Sequence, residues 1–124
     1  MASKKKVLII DDDPAICESV KAILDGNGFD TKTALSGKEG IEVFRSAKPD
    51  IVLCDMMMEH IDEGAKVARI IKEENKEIPV FLLSSIGDAT ASNIGLSELG
   101  FNGVFQKPVN FDLLLSVIGR FAKK

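Results

Sequence analysis

A chain of 124 residues has the size of one ordinary domain and is long enough to close a hydrophobic core without disulfides or a structural metal. Its 16 basic and 19 acidic side chains leave a formal net charge of -3, which provides no broad positive field for nucleic acid or an anionic membrane surface. No apolar run approaches the roughly 20 residues that cross a bilayer, and the basic start Lys4-Lys5-Lys6 leads only into Val7–Ile10 before three aspartates, which is no signal peptide. The expectation is a single soluble, cytoplasmic domain spanning 1–124 with no direct nucleic-acid or membrane partner. Cys17 and Cys54 have neither metal-site spacing nor the density of a secreted scaffold, so both read as buried thiols.

Val7-Leu8-Ile9-Ile10 opens the chain as a strand. Asp13-Pro14 then supplies a cap and a first-turn proline for a helix that buries Ile16, Val20, Ile23 and Leu24, and Gly26-Asn27-Gly28 stops it. Phe29–Thr33 is a second strand. Ser36-Gly37-Lys38-Glu39 has the form of a capping box, with Ile41 and Phe44 on the buried side of a helix that ends before Pro49. Ile51–Cys54 is the third strand, and a helix over Glu63–Glu74 turns Gly64, Val67, Ala68 and Ile71 inward. Pro79 opens the fourth strand, Val80–Leu83. The stretch from Gly87 to Leu99 is rich in poor helix formers, yet Ile94, Leu96 and Leu99 ask for partial burial, so a weak helix is expected there. Val104-Phe105 is the fifth strand, and a last helix from Asn110 buries Phe111, Leu114, Leu115 and Ile118, with Leu113 and Val117 off the main stripe.

The first, third and fourth runs are almost wholly apolar, as strands covered on both faces must be, and belong in the middle of a sheet. Five alternations of strand and helix give an α/β fold: a (βα)5 doubly wound, five-stranded parallel sheet with right-handed crossovers. Ligands of such sheets bind beyond the carboxyl ends of the strands. The residues that follow the apolar runs are Asp11, Asp12 and Asp13, then Asp55, then Ser84 and Ser85, then Lys107 and Pro108. Asp13 reads as the helix cap. The other carboxylates would repel one another unless a cation joined them. Oxygen donors without histidine or thiolate favour Mg2+, with Mn2+ as the alternative. Asp55 is then a candidate carboxylate nucleophile for a phosphoryl group, with Lys107 as a point charge and Ser84 as a rotatable hydroxyl donor.

In this pattern the chain resembles, along its whole length, the flavodoxin-like receiver domain of two-component response regulators. The resemblance implies that Asp55 accepts a phosphoryl group, that Asp11 and Asp12 hold Mg2+ directly or through water, and that Met57 lends its backbone carbonyl to the metal. It implies that Ser84 is the switch hydroxyl, with Ser85 beside it, that Lys107 pairs with the phosphoryl group, and that the Lys107–Pro108 bond is cis. The implied partners are a sensor histidine kinase or histidine phosphotransfer protein as phosphodonor and an output partner that the sequence does not name. The implied state is a monomer or a weak, phosphorylation-dependent dimer. Val104 stands at the output-coupling position, where the family often has an aromatic residue; Glu59 replaces the usual proline, and one extra residue precedes Gly64. No effector domain is read within 1–124. The competing expectation is an enzyme that turns over an aspartyl phosphate, a phosphohydrolase or phosphotransferase, although such enzymes carry a second acid where this chain has Met57.

Overall fold

The computed structural model describes residues 5–55, 63–85, 101–107 and 109–122. In chain order these form β1 (Lys6–Ile10), α1 (Pro14–Asp25), β2 (Asp30–Ala34), α2 (Gly37–Ala47), β3 (Ile51–Asp55), α3 (Glu63–Glu74), β4 (Val80–Ser85), β5 (Gly103–Lys107) and α4 (Phe111–Ala122). The five strands make one parallel sheet in the order β2-β1-β3-β4-β5. The three apolar runs do occupy its centre, where Val7–Ile10, Val52–Cys54 and Leu82–Leu83 are wholly buried. The expected weak helix over Gly87–Leu99 lies outside the described residues.

Alternation along the strands splits the core into two layers. Leu8, Ile10, Val52, Cys54, Val80 and Leu82 face α2 and α3, packing on Phe44, Val67, Ala68 and Ile71. Val7, Ile9, Ile51, Leu53, Phe81 and Leu83 face α1 and α4, packing on Cys17, Val20, Leu24, Leu114 and Ile118. Phe81 is held between Phe105 and Phe121, with ring centroids 5.4 and 5.1 Å away, in the tilted and edge-on arrangements that aromatic quadrupoles favour. On α1 the fully buried positions are Cys17, Val20 and Leu24, while Ile16 only packs against the core's margin. The apolar stripe thus runs one position later at its start than the spacing of isoleucines suggests. Off the main stripe of α4, Leu113 is exposed and Val117 packs partly against the core.

The helix starts follow their side chains. Asp13 Oδ1 accepts from the Ala15 amide at 2.9 Å, and Ser36 Oγ accepts from the Glu39 amide at 3.1 Å. The capping box is only half as expected: the Glu39 carboxylate accepts from the Leu35 amide at 2.6 Å, one residue before the cap, rather than from Ser36. At the end of α1, Gly28 takes φ +92, a conformation glycine enters freely, and the chain turns so that the Phe29 amide donates back to Leu24. Among the described residues no helix is long and apolar enough to cross a membrane.

Candidate functional site

Ile10 of β1 pairs with Cys54 of β3, so the next residue of each strand, Asp11 and Asp55, emerges side by side at the carboxyl edge of the sheet. Their parity is that of Ile9 and Leu53, which face the layer formed by α1 and α4. Asp11 is fully buried, Asp55 is 6% exposed, and Asp12, on the turn into α1, is exposed. Carboxylate oxygens of Asp11, Asp12 and Asp55 all lie within 4.8 Å of one another.

The turn that carries Asp11 and Asp12 is closed by its own hydrogen bonds. The Asp11 amide continues the sheet ladder to the Ala34 carbonyl at 3.0 Å, and Asp11 Oδ1 accepts from the Asp13 amide at 2.9 Å. Cys17, one turn into α1, donates its thiol to the Asp11 carbonyl at 3.4 Å. Lys107, at the end of β5, reaches across the strand ends and places Nζ 2.8 Å from Asp11 Oδ2 and 3.4 Å from Asp55 Oδ1.

These neighbours set the proton affinities. Burial lifts the Asp55 carboxyl from its ordinary value to about 6, the Asp11 charge adds to the rise, and the Lys107 ammonium opposes it. For Lys107 burial alone would lower the pKa, but its bond to Asp11 and the charges of Asp11 and Asp55 outweigh that and hold the ammonium above its usual range. Burial, then the Asp11 charge, pushes the Cys17 thiol up to about 11, so it keeps its proton at neutral pH.

Three carboxylates gathered together, two of them against one ammonium, suit a hard divalent cation. Asp11 Oδ2 sharpens the case: it is buried, and among the described residues its one cationic neighbour is the Lys107 ammonium at 2.8 Å, a charge contact that leaves the oxygen's remaining acceptor capacity unused. Such an atom is costly to leave without a further partner, and the all-oxygen donor set matches the cation.

A family model described as the response regulator receiver domain matches residues 7–119. The chain belongs to this family. The transcriptional regulatory protein CseB of Streptomyces avermitilis is 34% identical over 118 residues, covering 95% of this chain and 49% of that protein. The DNA-binding response regulator MtrA of Mycolicibacterium smegmatis is 30% identical over 105 residues, covering 85% of this chain and 45% of that one. The chain therefore spans about half the length of the relatives it matches. Among solved structures, the receiver domain of the Francisella response regulator 1452 superposes with a TM-score of 0.84 at 31% identity, covering 97% of this chain and 98% of that one. The chemotaxis response regulator CheY4 of Vibrio cholerae gives 0.83 at 25% identity, covering 96% and 99%.

In this receiver domain the structure brings together Asp11, Asp12, Asp55 and Lys107. Ser84 is buried on β4, one step past Leu83, the partner of Asp55, and Ser85 stands in register with Lys107. Ser84 follows the parity of Leu82, on the opposite face of the sheet from Asp55. Val104 is 41% exposed on the edge strand β5. Met57 and the Lys107–Pro108 bond lie outside the described residues, as do Glu59 and the extra residue before Gly64.

Two features escaped the sequence reading. Cys17 touches the backbone of a site aspartate, a contact that its place in an amphipathic helix does not announce. An apolar cleft of about 270 Å³ is lined by Ala15, Ile16, Ser19, Val20, Val109 and Phe111; the sequence showed its apolar residues but read Ile16, Val20 and Phe111 as core. The two thiols are buried as expected, but in opposite layers of the core, so no disulfide joins them.

Proposed function

We propose that this receiver domain takes a phosphoryl group onto Asp55 from a phosphohistidine of a histidine kinase or phosphotransfer protein. The observation that carries the reading is the meeting of Asp11, Asp12 and Asp55 within 4.8 Å, with the Lys107 ammonium set against two of them. Asp11, Asp12 and Asp55 are the residues that would hold Mg2+, with Mn2+ as a substitute. A bound divalent ion would neutralise the carboxylates and withdraw charge from the phosphoryl oxygens.

At neutral pH a carboxyl with a pKa of about 6 is mostly ionised and able to attack. An Asp55 oxygen forms the new bond to phosphorus while the bond from phosphorus to the histidine nitrogen breaks, and the imidazole departs with the electron pair. Lys107, already 3.4 Å from Asp55 Oδ1, is within reach of an oxygen added there and supplies a charge-assisted bond. Ser84, buried on the neighbouring strand with its parity on the other face of the sheet, is the hydroxyl that would reach the product only if the end of β4 shifts, which carries the change into β4. The added charge of about −1.5 to −2 gives the two states their difference in free energy.

A cytoplasmic location, a monomer or weak phosphorylation-dependent dimer, and an output partner contacted through the face bearing Val104 belong to the same proposal. An aspartyl-phosphate enzyme is the weaker reading, because Met57 stands where such an enzyme needs a second acid. The test is incubation with acetyl phosphate and Mg2+ followed by intact-mass measurement. The wild type gains one phosphoryl group and Asp55→Asn gains none; equal gain in both would refute the assignment.

A further inference from the structure

We infer that Cys17 is a positioning residue for the metal-binding carboxylates, its thiol holding closed the turn that carries Asp11 and Asp12. The inference rests on the reading of that pocket as a divalent-cation site.

Four hydrogen bonds shape this turn. The Asp13 amide reaches back to Asp11 Oδ1 at 2.9 Å, the Ala15 amide to Asp13 Oδ1 at 2.9 Å, the Cys17 amide to the Asp13 carbonyl at 3.2 Å, and the Cys17 thiol to the Asp11 carbonyl at 3.4 Å. The first three are each local to two or four residues. Among the described residues only the thiol spans the whole turn, from Asp11, directly after β1, to the first full turn of α1. It therefore ties the strand end, where the Asp11 amide continues the ladder to Ala34, to the start of α1, across the exposed bend that carries Asp12.

Cys17 itself is 3% exposed and packed in the layer between α1 and the sheet, so its sulfur has little freedom to leave the contact. A protonated thiol is a weak donor, but the carbonyl it serves belongs to a fully buried residue, and losing the donor leaves that oxygen to find another partner by shifting the backbone. A shift of the backbone moves the carboxylates of Asp11 and Asp12 relative to Asp55. Outer-shell contacts of this kind change metal affinity without touching the metal.

The test is a calorimetric Mg2+ titration of the intact protein, with thermal unfolding in EDTA run on the same samples. Cys17→Val keeps the volume and removes the donor; Cys17→Ser keeps a donor; Val20→Ala removes buried α1 volume with no polar contact to the site. Cys17→Val is expected to raise the Kd for Mg2+ about tenfold, Cys17→Ser to stay within about twofold of wild type, and Val20→Ala to lower the unfolding temperature with Kd unmoved. An unchanged Kd in Cys17→Val, or a Cys17→Ser as weak as Cys17→Val, overturns the inference while leaving the metal site standing. Absence of saturable Mg2+ binding by the wild type overturns both.

Discussion

Asp55 carries a proton affinity that its surroundings impose, and the sign of the resulting pH dependence can be worked out. The carboxyl rises from 3.8 to about 6 because burial, then Asp11, disfavours its charge. Between about pH 4 and 6 the folded, metal-free protein binds a proton that the unfolded chain has released, so stability falls as pH rises through this window. Asp55→Asn should therefore stabilise the metal-free protein at pH 7 by on the order of 2 kcal/mol, with the gain shrinking toward pH 4; denaturant unfolding at the two pH values checks it. The same proton competes with a cation, so Mg2+ affinity should weaken as pH falls below about 6. Lys107 works in the opposite direction. It is the counter-charge that the buried Asp11 Oδ2 has among the described residues, and Lys107→Met should cost about 2–4 kcal/mol of metal-free stability. Millimolar Mg2+ should restore more stability to that variant than to the wild type, since the ion takes over the missing charge. A variant that unfolds like wild type in EDTA would show that the ion pair matters little.

At the scale of elements, the site depends on how closely the helices lie on the sheet. Gly40 of α2 has no room for a side chain: a Cβ there would come within 2.5 Å of Ile10 Cδ1. Ile10 directly precedes Asp11, so Gly40→Ala should lower stability by about 1–3 kcal/mol and disturb the strand end, read as a drop in unfolding midpoint together with weaker Mg2+ binding. The elements themselves were largely legible in the sequence, for reasons that differ from one to the next. The starts of α1 and α2 could be read because Asp13 and Ser36 bond to specific amides, and the central strands because both of their faces are covered. The reciprocal half of the Ser36 cap was not legible: the chain offers the Glu39 carboxylate two nearby amides, and only the folded turn selects Leu35. Cys17 was read correctly as buried, but the expected burial of Ile16 was not met: both are apolar, and only the packing of α1 on the sheet leaves Ile16 at the margin of the core.

For the molecule as a whole, topology does what no single motif could. Asp11, Asp55 and Lys107 are far apart in sequence, yet Asp55 and Lys107 end strands of one parallel sheet and Asp11 directly follows another, and that fact alone gathers them at one edge. The gathering was legible because parallel strands share a direction; the pairing of Lys107 with Asp11 more closely than with Asp55 was not, because it turns on where a long flexible side chain settles. As proposed, these residues form one metal-dependent phosphoacceptor pocket centred on Asp55. Its most direct measurement is to treat the wild type with acetyl phosphate and Mg2+ or EDTA, reduce with borohydride, and map the peptides by mass spectrometry. Reduction of an aspartyl phosphate leaves homoserine, and homoserine is expected at position 55 with Mg2+ and not with EDTA. Modification at another carboxylate, or at Asp55 to the same extent without the metal, would contradict it.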